Sequence, residues 1–447
     1  MKALKRYLAF IMCILLSLSF TGCAVVDLDI RNMMEAPRND ADMAAVTAIL
    51  DNGGKADYCY PQNGDYREAV MFTSFTGGSH KDAFAFTYDN SKRINITFFS
   101  FKEGNWIRTT EFTDKSDKVD RVIFGDITGD GINDIIVGFT DSEDRNIISI
   151  FTYSEENDRI EKIDTKFYYD AVLCTNFRSG EKDELCILKT ERVPDEEDGS
   201  LTFSVYQYNN KKFYSIGREL LVTRLLSFEN VYFDKDTDGK AYVAAEGKGN
   251  SGVYITQIFT ENSYTEKIYT PYSVNPERTT PGEFKRGSTD ALLSMDIDGD
   301  GSMEIPLIYS SNEIDSAVAG NLTDWVKPRL QNVSKEVIMS TIVNYQYNYY
   351  IPVPQEKKDN IIYYKGSDQD SIDVYEIEGD GEGNIKKATK LFTVRVFTKP
   401  QWQEYTEGEY FDYILVLDSR GDAVYAVKDL YRCETTEYML ENFGCLK

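Results

Sequence analysis

Histidine is almost missing from this chain: His80 is the only one in 447 residues. Ser-His-Asp and Cys-His nucleophilic sites need histidine as their base, and a catalytic zinc site uses two or three. His80 stands in a polar loop, so histidine-based chemistry is set aside. Positive charge is also scarce. Without Lys2, Lys5 and Arg6 of its first segment, the chain has 46 basic residues against 74 acidic ones, a formal charge of −28. Such a body repels nucleic acid and anionic headgroups and attracts cations, which excludes a nucleic-acid role. Long apolar runs are lacking beyond Phe20, so nothing after that point is built to span a bilayer, which takes about 20 apolar residues. What is present is a hydrophobic content of 42% with 13% aromatics, ample for a packed core. The length suggests two or three domains.

The N-terminus reads as a targeting segment. Lys2, Lys5 and Arg6 open it, Tyr7 to Phe20 is largely apolar, and Phe20-Thr21-Gly22-Cys23 closes it. That apolar stretch is too short for a membrane anchor and suits a cleaved signal over residues 1–22. The final four residues resemble a bacterial lipobox, which makes Cys23 the acylated first residue of a mature protein held to a membrane on its extracytoplasmic side. Residues 23–39 are polar and irregular, a tether. Asn39-Asp40 can cap a helix that runs to Leu50, with Met43, Val46, Thr47 and Leu50 on one face. With Cys13 removed and Cys23 acylated, five cysteines remain. Cys174 with Cys186 and Cys433 with Cys445 are candidate pairs, although an odd total argues against a disulfide framework.

The richest stretch is Ser294 to Tyr309. Asp296, Asp298, Asp300 and Glu304 occupy relative positions one, three, five and nine, with glycines at 299 and 301. Calcium takes six to eight hard oxygens, and alternate side chains of a curling loop can converge on one ion, with the Ser302 carbonyl at position seven. Short apolar segments flank the loop, so it joins strands rather than the helices of an EF-hand. A second copy has Asp126, Thr128, Asp130 and Asp134, with the Ile132 carbonyl at position seven. A third has Asp234, Asp236 and Asp238 but Tyr242 at position nine. Ser74 to Asp82 and Asn176 to Glu184 keep only the ninth-position acid, and in the latter Arg178 at position three could replace the ion as partner of Glu184. First positions at 74, 126, 176, 234 and 296 give spacings of 52, 50, 58 and 62 residues, a repeat of propeller or solenoid size.

On these motifs the chain resembles the FG-GAP/VCBS repeat family of calcium-loop β-propellers, over roughly residues 60 to 345. Phe124-Gly125 followed by Asp126 to Asp134 and a strand ending in Gly138 carries the resemblance most fully, with Asp296 to Glu304 beside it. The resemblance implies a propeller with structural calcium and no single activity. The strand-like runs Arg93 to Lys102, Ile147 to Tyr153, Leu201 to Tyr208 and Val253 to Phe259 give four strands per repeat, which is one blade. Five loops then predict five blades over residues 40–344, helix included.

After Asn344 the loop pattern stops. Strands at Ile361 to Tyr364, Ile372 to Glu376, Leu391 to Phe397, Tyr413 to Leu417 and Ala423 to Val427 alternate with a helix opening at Pro400 and another from Thr436 to Phe443. Residues 345–447 thus read as a small α+β domain with an antiparallel sheet. Tyr350-Ile351-Pro352-Val353-Pro354 with Leu391 to Val396 resembles PsbP-type lipoprotein modules in part, without their tryptophan. Tyr345, Tyr347, Tyr349 and Tyr350 could stack on sugars or proteins, although strands favour tyrosine in any case. Carboxylate-pair hydrolysis has no recognisable motif here. The expectation is a mainly β, lipid-anchored, calcium-stabilised propeller that acts by binding an envelope protein or polysaccharide. The alternatives are an accessory or inhibitory subunit of an envelope complex, or a carboxylate-based hydrolase.

Overall fold

The structure is a computed structural model that describes residues 40–446 apart from 52–53, 78–81, 179, 192–199, 223–224, 226–227, 250–251, 273–283, 286–291, 310–320, 380–384, 409–411 and 414. The signal segment, Cys23, the tether and His80 lie outside the described residues. No described helix is long and apolar enough to cross a membrane.

The chain is mainly β. Among the described residues it forms six antiparallel sheets, and sequence neighbours are mostly sheet neighbours. The second sheet is the simplest: Lys118–Gly125, Asp134–Thr140, Asn146–Ser154 and Arg159–Tyr169 pair in order. The third repeats it with Ala171–Thr175, Glu184–Glu191, Ser200–Asn209 and Lys212–Val222. Alternation along each strand serves two cores. In Ile94–Lys102 of the first sheet, Ile94, Ile96 and Phe98 face the second sheet, while Phe99 and Phe101 face the helix Asp40–Leu50.

Cores join the sheets pairwise in chain order. Phe84, Phe98 and Phe151 lie between the first and second, Ile136 and Ile187 between the second and third, and Phe203 and Phe259 between the third and fourth. Tyr242 and Ile305 join the fourth to the fifth, and Ile351 and Val394 the fifth to the sixth. The far faces of the first and sixth sheets carry helices. Val46 of Asp40–Leu50 covers Ala83, Ala85 and Phe99 of the first sheet, and Trp106 Nε1 donates to Asp42 Oδ1 at 3.0 Å. Trp402 and Tyr405 of the helix Lys399–Glu407 cover Phe397 and Val424 of the sixth. A closed five-bladed propeller is not shown among the described residues. A ring would bring the first sheet's far face against the last blade, and a helix already occupies it.

The sixth sheet also breaks the progression. Leu307 stands opposite Asp324, and Leu322 opposite Ile342, so all four share one face of the fifth sheet. Leu307 meets the fourth sheet there, and Leu322 and Ile342 meet the sixth. The expected boundary at 344/345 falls inside this fifth sheet, because Ser334–Asn344 pairs with Tyr349–Val353, which in turn pairs with Gly444–Cys445 at the end of the chain. Both C-terminal helices form. Thr398 Oγ1 accepts from Gln401 N while the Gln401 side chain accepts from Thr398 N, a capping box that starts Lys399–Glu407 with Pro400 in its first turn. The second spans Glu434–Glu441.

The cysteine pairs do not form; Cys174, Cys186 and Cys433 are free thiols. Cys174 stands opposite Leu185 and Cys186 opposite Leu173, so alternation sends the two thiols to opposite faces of the third sheet. A close approach inside the second sheet bears on the repeat motif. Tyr169, 2% exposed, donates its hydroxyl to Asp120 Oδ2 at 2.5 Å and lies over Gly138. Asp120 also accepts from Asn63 Nδ2 at 2.6 Å and pairs with Arg121 at 2.7 Å. Burial opposes its ionisation, yet these bonds hold its carboxyl below the usual range.

Candidate metal centre

The five loops occupy equivalent places, each leading into a strand near the start of its sheet. They connect Val70–Thr73 to Asp82–Tyr88, Lys118–Gly125 to Asp134–Thr140, Ala171–Thr175 to Glu184–Glu191, and Asn230–Lys235 to Ala241–Lys248. In the fifth, Met295 bridges to Glu304 and leads into Ile305–Tyr309. Neighbouring loops touch. Asp126 N donates to Asp183 Oδ2 at 2.9 Å, and Asp183 N returns a bond to Asp126 O at 2.9 Å. Met303 N donates to Asp234 Oδ2 at 2.7 Å, linking the fourth loop to the fifth in the same sense.

One job is common to four loops. The ninth-position acid turns inward and accepts from backbone N–H groups at positions two and three. Asp82 accepts from Phe75 N at 3.2 Å and Thr76 N at 3.0 Å, and Asp134 from Ile127 N at 2.9 Å and Thr128 N at 3.0 Å. Glu184 accepts from Arg178 N at 3.2 Å and Glu304 from Ile297 N at 3.0 Å. All four are at most 2% exposed. Buried backbone donors need partners, and this acid supplies one whether or not an ion is bound. That explains why Asp82 and Glu184 survive in loops that have lost their other acids.

Arg178 makes no ion pair with Glu184: its backbone N–H bonds the acid, while its guanidinium, whose charge also favours the Glu184 carboxylate, pairs with Glu261 in the fourth sheet and donates to Ile216 O at 3.2 Å. The Asp234 copy forms a tight hairpin. Asp234 is paired across the ladder with Tyr242, while Asp236 accepts from Lys240 N at 2.7 Å and from Leu330 N at 2.9 Å in the fifth sheet. Asp238 only donates its N–H into that turn. In the second loop, three backbone N–H groups, of Gly129, Asp130 and Gly131, hold Asp126, and Ile132 N holds Asp130 at 2.8 Å.

Among the described residues one acidic group could hold a metal ion: Asp296, Asp298 and Glu304, with ligand oxygens all within 4.8 Å of one another. Gly299 and Gly301 sit at φ +81° and +88°, which lets their N–H groups fold back onto Asp296 at 2.7 and 3.1 Å. Glu304 is fully buried and burial pushes its carboxyl up to about 7, against the Ile297 N–H and Lys327. Burial likewise pushes Asp134 up to about 6. Thr128 Oγ1, a buried oxygen at a ligand position, makes no hydrogen bond. An unpaired buried oxygen beside clustered carboxylates fits a hard cation.

Asp300, the expected fifth-position ligand, turns away. It pairs with Lys327 Nζ at 2.6 Å, and the same ammonium stands 3.1 Å from Glu304 Oε1. These bonds, against the cost of burial, hold Asp300 below the usual carboxylate range. Lys327 thus neutralises the acids from the side of the fifth sheet. Nothing in the loop pattern pointed to it, because it lies on the strand Asn321–Arg329, far along the chain. No family model matches the chain, and no curated protein matches it either.

Proposed function

We propose that this chain is a lipid-anchored, extracytoplasmic binding protein whose first five sheets are FG-GAP/VCBS-like blades in an open, helix-capped arc, with calcium at the Asp296 loop. The observation that carries the reading is the row of equivalent loops at one end of consecutive sheets, with hydrogen bonds tying the second loop to the third and the fourth to the fifth. Such a row offers a rigid surface to a partner, an envelope protein or polysaccharide, and the ion stiffens one part of it. A pull-down from membranes, with calcium and with chelator, tests this. Capture of a protein or polysaccharide supports the reading; an empty capture under both conditions counts against it.

The anchor rests on Phe20-Thr21-Gly22-Cys23. Cys23→Ser is expected to move the protein from the membrane fraction to the soluble one, read by fractionation and blotting. Retention of the Ser variant in membranes would remove lipidation from the proposal.

Asp298 is the ligand to test for calcium. It is exposed, and its carboxylate accepts only from Asp300 N, at 3.2 Å. Asp298→Asn should therefore leave the metal-free stability within about 0.5 kcal/mol. Extracellular calcium modules bind at about 10⁻⁴–10⁻³ M, so 10 mM calcium adds about 1–3 kcal/mol, or a few degrees of melting temperature. That rise should appear in the wild type and vanish in Asp298→Asn. Equal rises in both proteins would place the ion elsewhere.

A further inference from the structure

The second and third sheets part at their outer strands and leave a cavity of about 220 Å³. Its polar walls converge from both sheets. Lys166 comes from Arg159–Tyr169; Lys189, Thr202, Ser204 and Arg218 come from the three later strands of the third sheet. Cross-strand register explains their grouping. Lys189 stands opposite Thr202, and Ser204 stands between Ile187 and Arg218, so all point to one face. Phe167 and Tyr206 line the same cavity, their rings 4.2 Å apart.

Three cations around one cavity are unexpected in a chain of formal charge −25. Among the described residues neither Lys166 nor Lys189 has a carboxylate partner. Lys166 and Lys189, left without acid partners beside Arg218, repel each other, so the arrangement favours an incoming anion. The floor is polar as well as charged: Thr202 and Ser204 are 4% and 5% exposed and present hydroxyls. The aromatic wall supplies an apolar face, on which rings with axial C–H groups can lie. The space has room for one six-membered ring.

We propose that this cavity binds one sugar residue bearing a carboxylate or phosphate, within an anionic polysaccharide or as a free sugar. The proposal rests on the reading of the chain as a binding protein, and it names the chemical class of ligand. The cations hold the anion, the hydroxyls bond the ring substituents, and the aromatic rings carry the ring face.

Calorimetry on the full chain tests it, with four probes: a galacturonate trimer, glucose 6-phosphate, a neutral galactose trimer and inorganic phosphate. The expected result is binding of the galacturonate trimer, glucose 6-phosphate or both, at least about tenfold tighter than the neutral trimer and weaker at higher salt. The double variant Lys166→Gln, Lys189→Gln should lose about tenfold or more in affinity. Lys212→Gln, in the turn that opens the third sheet's last strand, should not change it. Melting curves of each variant check the fold, and the exposed Lys166→Gln alone should still weaken binding several-fold. The galacturonate and phosphate arms tell a uronic acid from a phosphorylated sugar. Equal affinity for neutral and anionic sugars, inorganic phosphate bound as tightly as glucose 6-phosphate, unchanged affinity in the double variant, or no binding up to 10 mM would each overturn the proposal. A pull-down that captures a partner while every probe fails would sink the cavity alone and leave the binding reading in place.

Discussion

Gly138→Ala is expected to destabilise the protein by about 3–5 kcal/mol. A Cβ on residue 138 would lie 1.8 Å from Tyr169 Oη and 2.9 Å from its Cζ, so the ring cannot stay where it is. Forcing a buried ring aside costs about 1–3 kcal/mol. The move also breaks the Tyr169–Asp120 hydrogen bond, and a bond to a buried charge is worth about 1.5–3 kcal/mol. Arg121 Cγ, 3.3 Å from the same Cβ, blocks part of the escape route. Denaturant unfolding reads the loss. Tyr169→Phe in the alanine background removes the atom that clashes, so the double variant should be less unstable than the two single losses added together. Strict additivity, or an alanine variant within 0.5 kcal/mol of wild type, would show that Gly138 is not required by the tyrosine.

The second large effect concerns an acid in a loop that has no other ligand. Glu184→Ala should cost about 2–4 kcal/mol, equally in calcium and in chelator. The side chain is 1% exposed, and its removal leaves the Arg178 N–H without its acceptor in a buried loop. An orphaned buried donor costs about 1–3 kcal/mol, and the emptied space adds to it. Burial raises the Glu184 carboxyl above its usual range, so the neutral form is tolerated there. Glu184→Gln keeps an acceptor oxygen of the same reach and should lose less than half as much. If alanine and glutamine cost the same, the acid acts through its charge; if the alanine loss changes with chelator, it acts through an ion. Either result would remove the backbone role assigned to the ninth position in all four loops.

Much of the local structure was legible because it is governed by local rules. The alternation of Ile94 to Phe101 marks a strand serving two cores, and Pro400 after Thr398 marks a helix start. The loop period was legible too, since each loop leads into a strand near the start of its sheet. The ion-site readings fared unevenly for a physical reason. Spacing shows which carboxylates a loop could gather; it does not show what else competes for them. Lys327 reaches Asp300 from a strand more than twenty residues on, and Arg178 prefers Glu261 of another sheet to Glu184 of its own loop. Closure into a five-bladed ring was beyond the sequence on the same ground. Closure depends on which faces remain uncovered, and the amphipathic helix Asp40–Leu50 was visible without any sign of which sheet it would cover. Cys174 and Cys186 looked like partners by separation alone, whereas strand alternation sends them to opposite sides.

The chain-order sequence of cores has a kinetic meaning. Each sheet draws its contacts from the sheets on either side and from its own hairpins, so folding requires few closures between distant parts of the sequence. Stability in such an array is roughly a sum of terms for each unit and each junction, and order can begin at any one sheet and spread. The helices on the first and sixth sheets then act as terminators: they give the end units a second junction that no further sheet provides. The first sheet can therefore form, with Asp40–Leu50 seated on it, before the last strand of the chain has joined its sheet.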